Sequence, residues 1–339
     1  MAREVTIVGG GLAGLSLGIA LRGRGVPVAL HEAGSLPRHR VCGEFLCGVE
    51  PSTLRNLGVA EDLADAEVHR ESRWSGPDGR PFHRQRLPRP ALGLSRHALD
   101  LRLARRLERA GGRVFLGERW RGDPRAEGVV LASGRKAGRT PWMGFKVHLS
   151  GDLPGDLSLF LGDGGYVGLS PVEGGFWNLC GLFRKRPEVR AGKEGILGAY
   201  AEANGMTGVT GLLAKASLRP GSAAAVAGVS FAPGEGGRGE ARIGDAWGVI
   251  PPFTGNGMSI AFESAEIALD PVSRWSSGGL PWEAAVRRIE RAHRSRFRRR
   301  FRVANALHPW LFSPRRRGCL RLLARSGLLP FRPLFALTH

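Results

Sequence analysis

Two glycine clusters in this chain have the residue types and spacing to bind a cofactor, the first through its phosphates. The first is Gly9-Gly10-Gly11-Leu12-Ala13-Gly14, in which Gly9, Gly11 and Gly14 stand in G-x-G-x-x-G spacing. Gly9 permits a tight turn, Gly11 lets a pyrophosphate approach the backbone, and Gly14 lets a helix pack closely on a strand. Leu12 and Ala13 begin that helix, whose free N–H groups and positive dipole end favour phosphate. Glu32 follows Gly9 by 23 residues, with Ala33 beside it. An acid at that distance accepts hydrogen bonds from ribose hydroxyls. The second cluster is Gly244-Asp245 with Gly255-Asn256-Gly257-Met258. Asp245 can accept from a sugar-alcohol hydroxyl. Gly255 and Gly257 leave amides bare at a helix N-terminus, where developing negative charge is stabilised.

The elements that position these residues are legible. EVTIVG, residues 4–9, reads as a buried parallel strand, followed by a helix over about 12–24 and a second strand over Val26–His31. An apolar helix is expected from Ser259 to Leu269. A third helix starts at Arg96 in LSRHALDLRLARRLERAGG, with Leu99, Leu103 and Leu107 on one face.

The chain resembles the FAD-dependent oxidoreductases that include para-hydroxybenzoate hydroxylase-type monooxygenases and geranylgeranyl reductases. Gly9–Gly14 with Glu32, Ser95-Arg96, and Gly244–Met258 occur in the family's order over nearly the whole chain. The resemblance implies an α/β fold. A Rossmann-like FAD-binding domain (GR2-type) comprises residues 1–70, 90–138 and 238–280. An inserted antiparallel β-sheet substrate domain comprises 71–89 and 139–237, and C-terminal helices comprise 281–339. It implies FAD as resident cofactor and Arg96 as a contact to it, against the plain reading of a surface arginine at a helix start.

Two departures weigh against an NADPH-driven aromatic hydroxylase. Ser133 stands where hydroxylases usually carry the Asp of an Asp-Gly pair, and Trp247-Gly248 replaces Ala-His. The segment Arg40-Val41-Cys42-Gly43-Glu44 is similar to the reductase branch in its Cys-Gly. By that resemblance Arg40 neutralises phosphate or ribityl oxygens and Cys42 lies near the isoalloxazine. Glu44 is a candidate proton donor or acceptor if buried there. The plainer readings are an inert buried thiol and a structural hydrogen-bonder.

Residues 139–185 change character. Trp142–Leu149 alternates as a strand, and Leu157–Leu161, Tyr166–Leu169 and Phe176–Phe183 read as further strands between Gly-rich turns. Lys146 and His148 share a face by period two. They are expected either to line a substrate pocket or to sit on a solvated edge. The remaining lining is apolar, so a small hydrophobic substrate is expected. Residues 281–312 read as one long helix with nine arginines between 287 and 302.

Lys and Arg number 50 against 30 Asp and Glu, a net charge of +20, and only five of the 50 are Lys. This is either a solvated basic surface or an attraction to anionic membrane or to an acidic electron-transfer partner. Nucleic acid is not expected, because no recognition motif accompanies the charge. Four scattered cysteines and no CxxC pair give no disulfide framework and no metal site. With no signal-peptide pattern and no spanning run, a cytoplasmic protein, at most peripheral to the membrane, is expected.

The expected function is an FAD-dependent oxidoreductase acting on a lipid, isoprenoid or polyketide-like compound, with reduction or dehydrogenation of a C–C bond slightly favoured. A flavin monooxygenase is the rival within the class. A basic membrane- or nucleic-acid-binding protein with a vestigial FAD fold is the rival outside it. The halogenase relatives are disfavoured, since no Lys follows Gly14 in that segment and no W-x-W-x-I-P occurs. No second nicotinamide motif follows a strand, so NAD(P)H is expected only as a transient donor, or a ferredoxin-like partner supplies electrons.

Overall fold

A computed structural model describes residues 1–231 and 239–339. The expected domain junction at 237–238 lies outside the described residues. The elements in chain order are β1 (Val5–Val8), α1 (Leu12–Gly23), β2 (Val28–Glu32), β3 (Phe45–Leu46), α2 (Pro51–Asn56), β4 (Glu67–Ser75), β5 (Pro81–Gly93), α3 (Arg96–Arg109), β6 (Arg113–Leu116) and β7 (Val129–Leu131). There follow β8 (Trp142–Ser150), β9 (Leu157–Gly162), β10 (Gly165–Val172), β11 (Phe176–Arg184), α4 (Ile196–Ala203), α5 (Thr207–Lys215), β12 (Ser217–Leu218), β13 (Ala224–Ala227) and β14 (Ala241–Arg242). The chain ends with α6 (Gly257–Ser276), α7 (Trp282–Leu307), α8 (Pro314–Arg325) and α9 (Phe331–Thr338).

Among the described residues β14, β7, β1, β2 and β6 form, in that order, a parallel sheet. α1 is buried over nearly its whole length. It packs against α3 and α6, which explains why it is apolar all round rather than amphipathic. α3 opens with a true cap, the Ser95 hydroxyl accepting the Ala98 N–H at 3.0 Å.

The second sheet runs β12-β8-β11-β10-β9-β4-β5-β3, with β13 also on β8. Its pairs are antiparallel except β4 with β9. Its β4–β5 hairpin extends from Glu67 to Gly93, beyond both ends of the 71–89 excursion, and β3 joins it through the Phe45–Gly93 pair. One face, with Phe145, Val147 and Leu149, is covered by α4 and α5 through Leu197, Tyr200, Met206 and Val209. The sequence reading did not anticipate these two helices. By period two Lys146 and His148 therefore point to the opposite face.

Two helices end differently from the reading. α6 continues past Leu269 through Pro271 to Ser276, because Val272 and Trp275 are buried in the main core. α7 stops at Leu307 and passes into a short 3-10 turn, His308–Leu311, where Pro309 has no N–H to continue the ladder.

Candidate functional site: a cavity between the two sheets

A cavity of about 1050 Å³ runs from the β1–α1 turn into the antiparallel sheet and the C-terminal helices. Ligand sites usually measure ~300–1,000 Å³, so this one suits a large, extended occupant. Its wall holds Gly9, Gly11, Leu12, Ala13, Glu32, Ala33, Arg40, Cys42, Arg96, Gly244, Asp245, Gly255, Gly257 and Met258. These residues come from six separate stretches of chain.

The three glycines of the first turn differ physically. A Cβ on Gly9 would collide with the Ala132 carbonyl, and its φ of +121° is open only to glycine. A Cβ on Gly14 would collide with the Gly9 carbonyl. Gly14 does not face the cavity; its role is packing. A Cβ on Gly11 would meet nothing nearer than the Arg96 Nη2, 3.8 Å away. Gly11 therefore leaves room for a cavity occupant rather than for the protein itself.

Glu32 is 6% exposed. Its Oε2 accepts the Gly10 N–H at 2.9 Å, and its Oε1 accepts the Gly34 N–H at 2.8 Å and Arg38 at 2.9 Å. Burial alone would raise its pKa; the Gly34 amide, Arg38 and the Gly10 amide more than offset this and hold it below the ordinary value. Arg40 and Arg96 converge on Asp100, which has no exposed side-chain surface. Arg96 binds it with Nε at 2.7 Å and Nη2 at 2.8 Å, and Arg40 with Nε at 2.9 Å. Asp100 fixes two guanidinium groups at the cavity wall, which is how a phosphate-facing arginine is oriented before its ligand arrives.

Asp245 has no hydrogen-bond partner among the described residues, and its side chain is exposed on the cavity wall. Desolvation pushes its pKa up, with Arg96, Arg135 and Arg40 pulling the other way. A carboxyl exposed on a cavity wall with no protein partner is free to accept a donor from an occupant. Gly255 has φ +72°, and a Cβ there would strike the Phe45 ring. Asn256 is fully buried behind the wall, and its Oδ1 is unpartnered. These features fit FAD: room at Gly11 and two fixed arginines for the pyrophosphate, Glu32 for the ribose, and Asp245 for the ribityl chain. Bound there, FAD would supply the electron-transfer chemistry.

Cys42 lines the cavity, and burial raises its thiol pKa. It is held as a thiol, with Sγ accepting the Glu44 N–H at 3.4 Å. The Cys42 and Gly43 carbonyls accept from Asn178 Nδ2 at 2.9 Å and Ser170 Oγ at 2.8 Å. This segment is thus pinned to β10 and β11.

Glu44, Lys146 and His148 do not line the cavity; they meet behind its wall. Glu44 is 0% exposed and Lys146 and His148 1% each, which rules out the solvated edge. Glu44 Oε1 is 3.1 Å from Lys146 Nζ and Oε2 is 2.6 Å from His148 Nε2. Glu44 also caps α3 by accepting the Arg96 N–H at 3.1 Å. Burial would raise Glu44, but the His148 hydrogen bond and the Lys146 charge outweigh it and keep it ionised below the usual range. Its φ of +56° is uncommon for a side-chain-bearing residue and is held by these contacts. His39 joins the group, its Nδ1 2.9 Å from Lys146 Nζ. Burial first, then Lys146, lowers it to about 3, so it is a neutral acceptor. His39, Glu44 and His148 offer three ligand atoms within 4.8 Å of one another. The Lys146 amine already bonds two of them, so the cation in this cluster is the lysine.

Several site residues went unnoticed in the sequence. Arg38, Asp100 and Arg135 are chief among them. Asp100 carried a signal, its i,i+4 spacing from Arg96. Arg135 carried another, as a cation immediately beyond a strand of the parallel sheet. A second cavity of about 430 Å³, lined by Arg38, His39, His97, Lys193 and Arg219, shares Arg38 and His39 with the first.

No protein-family model and no curated protein sequence matches the chain. Solved structures match its fold. The chain is similar to the flavin-dependent brominase Bmp2, with TM-score 0.74 and 20% identity over 100% of this chain and 94% of that one. It is similar to Klebsiella pneumoniae HpxO complexed with FAD and uric acid, with TM-score 0.77 and 17% identity over 99% and 96%. It is also similar to the myxobacterial chondrochloren halogenase CndH, with TM-score 0.73 and 18% identity over 98% and 92%. These likenesses establish the α/β fold with its Rossmann-like sheet.

Proposed function

We propose that the protein is an FAD-dependent oxidoreductase acting on a hydrophobic substrate. The observation that carries this reading is the single cavity with two unlike walls. One wall has the glycine turn, Glu32, the Asp100-fixed arginines and the unpartnered Asp245. The other has Trp74, Leu87, Leu159, Leu182, Phe331 and Phe335. A polar dinucleotide on the first wall leaves the second for an apolar molecule, whose burial is favourable by ~25 cal/mol per Å².

Reduction or dehydrogenation of a C–C bond is the first reading of the reaction. Ser133 and Trp247-Gly248 depart from the hydroxylase pattern, and the pinned Cys42-Gly43 segment is similar to the reductase branch. Monooxygenation is the second, supported by a fold similar to that of Pseudomonas aeruginosa PqsL, described as a probable FAD-dependent monooxygenase. NAD(P)H is proposed as a transient electron donor. The second cavity supports this, since it carries three cations and no carboxylate beside the first.

The test is anaerobic reduction of the FAD-loaded protein by NADPH, followed by turnover with a polyprenyl probe in the presence and absence of oxygen. A product differing by two hydrogens without oxygen consumption supports the first reading. Gain of one oxygen atom supports the second. A protein that neither holds FAD nor accepts electrons overturns both.

A further inference from the structure

Residues 291–339 contain thirteen arginines and no Asp or Glu. That one stretch carries most of the chain's net charge of +20. Four of the thirteen are ion-paired: Arg294 with Glu290, Arg296 and Arg300 with Glu263, and Arg317 with Asp163. The other nine, among them Arg315, Arg316, Arg321, Arg325 and Arg332, have no carboxylate partner among the described residues. A basic face scattered by composition alone would be interrupted by acids, as it is elsewhere in this chain.

The same region exposes aliphatic surface. Leu322 is 69% exposed and Leu328 70%, more than any other large apolar side chain beyond Met1. On α8 the spacing 315, 319, 322, 325 places Arg315, Cys319, Leu322 and Arg325 on one stripe. The opposite side of α8 is different. Ala324 and Leu320 pack with Phe82, Tyr166 and Leu182. Immediately after it, Leu329, Phe331, Leu334 and Phe335 form part of the cavity wall. A short helical layer thus has the apolar cavity on one side and leucine flanked by unpaired arginine on the other.

We infer that α8, the turn at Gly327–Pro330 and α9 dock on an anionic lipid bilayer and form the side from which a hydrophobic substrate enters. Arginine heads meet lipid phosphates while Leu322 and Leu328 enter the acyl boundary, the pattern of an interfacial helix. A nucleic acid would satisfy the charge but gives exposed leucine no apolar medium, and an acidic protein would do so only with a matching apolar patch of its own. Among the described residues no helix is long and apolar enough to cross a membrane, so the contact is peripheral. The docking stands on charge and exposure alone; the entry route rests on the oxidoreductase reading above.

The experiment is co-sedimentation of the FAD-loaded full chain with vesicles of phosphatidylcholine alone or mixed with phosphatidylglycerol, at low and high salt. Binding is expected only to the anionic vesicles and is expected to fall with salt. Removing one of Arg315 or Arg325, as Arg315→Gln or Arg325→Gln, should weaken it about fivefold. Leu322→Ser with Leu328→Ser should weaken it at least about tenfold at unchanged charge. Both leucines are exposed, so folding is unaffected. The flavin-to-protein ratio of each sample shows separately whether the cofactor site is intact. No sedimentation at low salt, equal sedimentation with neutral vesicles, or indifference to the leucine pair overturns the inference; the last outcome would point to a polyanionic partner instead.

Discussion

Glu44 and Lys146 lie 3.1 Å apart with neither side chain exposed to solvent. The first precedes a two-residue strand at the junction of the two sheets, and the second is in the middle of β8. Their contact, with His148 completing it, joins the segment that forms the cavity wall to the sheet behind it. Removing one partner leaves a buried charge without compensation, which typically costs about 3–5 kcal/mol. Glu44→Gln and Lys146→Met should each lower the unfolding free energy measured by urea denaturation by an amount in that range. The double variant should lose clearly less than the sum. Strict additivity would show that the two do not act as a pair.

A second expectation concerns acid. His293 is 0% exposed, and burial lowers its pKa to about 4. Unfolded histidine titrates near 6.5. As pH falls from about 6.5 the unfolded state takes up a proton that the folded state refuses. Stability is then lost at about 1.4 kcal/mol per pH unit until about pH 4, roughly 3 kcal/mol in all. His308 and His339, also lowered to about 4, act in the same direction. The depressed Glu44 adds its own loss only below the ordinary carboxylate range. The thermal midpoint should therefore drop steeply between pH 6.5 and 4, and His293→Phe should flatten the slope. A variant with the parent's slope would mean that His293 is already charged in the fold.

These histidines and the Glu44 cluster mark where sequence reasoning stops. The β1–α1 turn was legible because its chemistry is local: three glycines within six residues and an acid at the end of the next strand. Asp245 was legible for the same reason. Period two put Lys146 and His148 on one face, but which face α4 and α5 would cover depends on packing between distant segments. The burial of Glu44 depends on β8, far along the chain. Arg38 looked like one arginine among many until the fold brought it to Glu32.

Asp245 should make a measurable but limited contribution to FAD affinity. Its carboxyl offers one charge-assisted hydrogen bond, worth about 1.5–3 kcal/mol. Asp245→Ala should weaken FAD by about 10- to 150-fold in a fluorescence titration. Because Asp245 has no partner among the described residues, the same change should leave the urea midpoint near that of the parent. A large loss of stability with unchanged affinity would assign it a structural role instead.

The most direct test of the cofactor assignment is the flavin-to-protein absorbance ratio after FAD loading and gel filtration, for the parent protein and Gly11→Val. A Cβ at Gly11 meets no protein atom closer than the Arg96 Nη2 at 3.8 Å, so the variant should fold and give the parent's circular dichroism. It should elute colourless, because the added carbons occupy the space reserved for a pyrophosphate, while the parent elutes yellow. A folded Gly11→Val protein that retains its full flavin would contradict the cradle assignment and the function built on it.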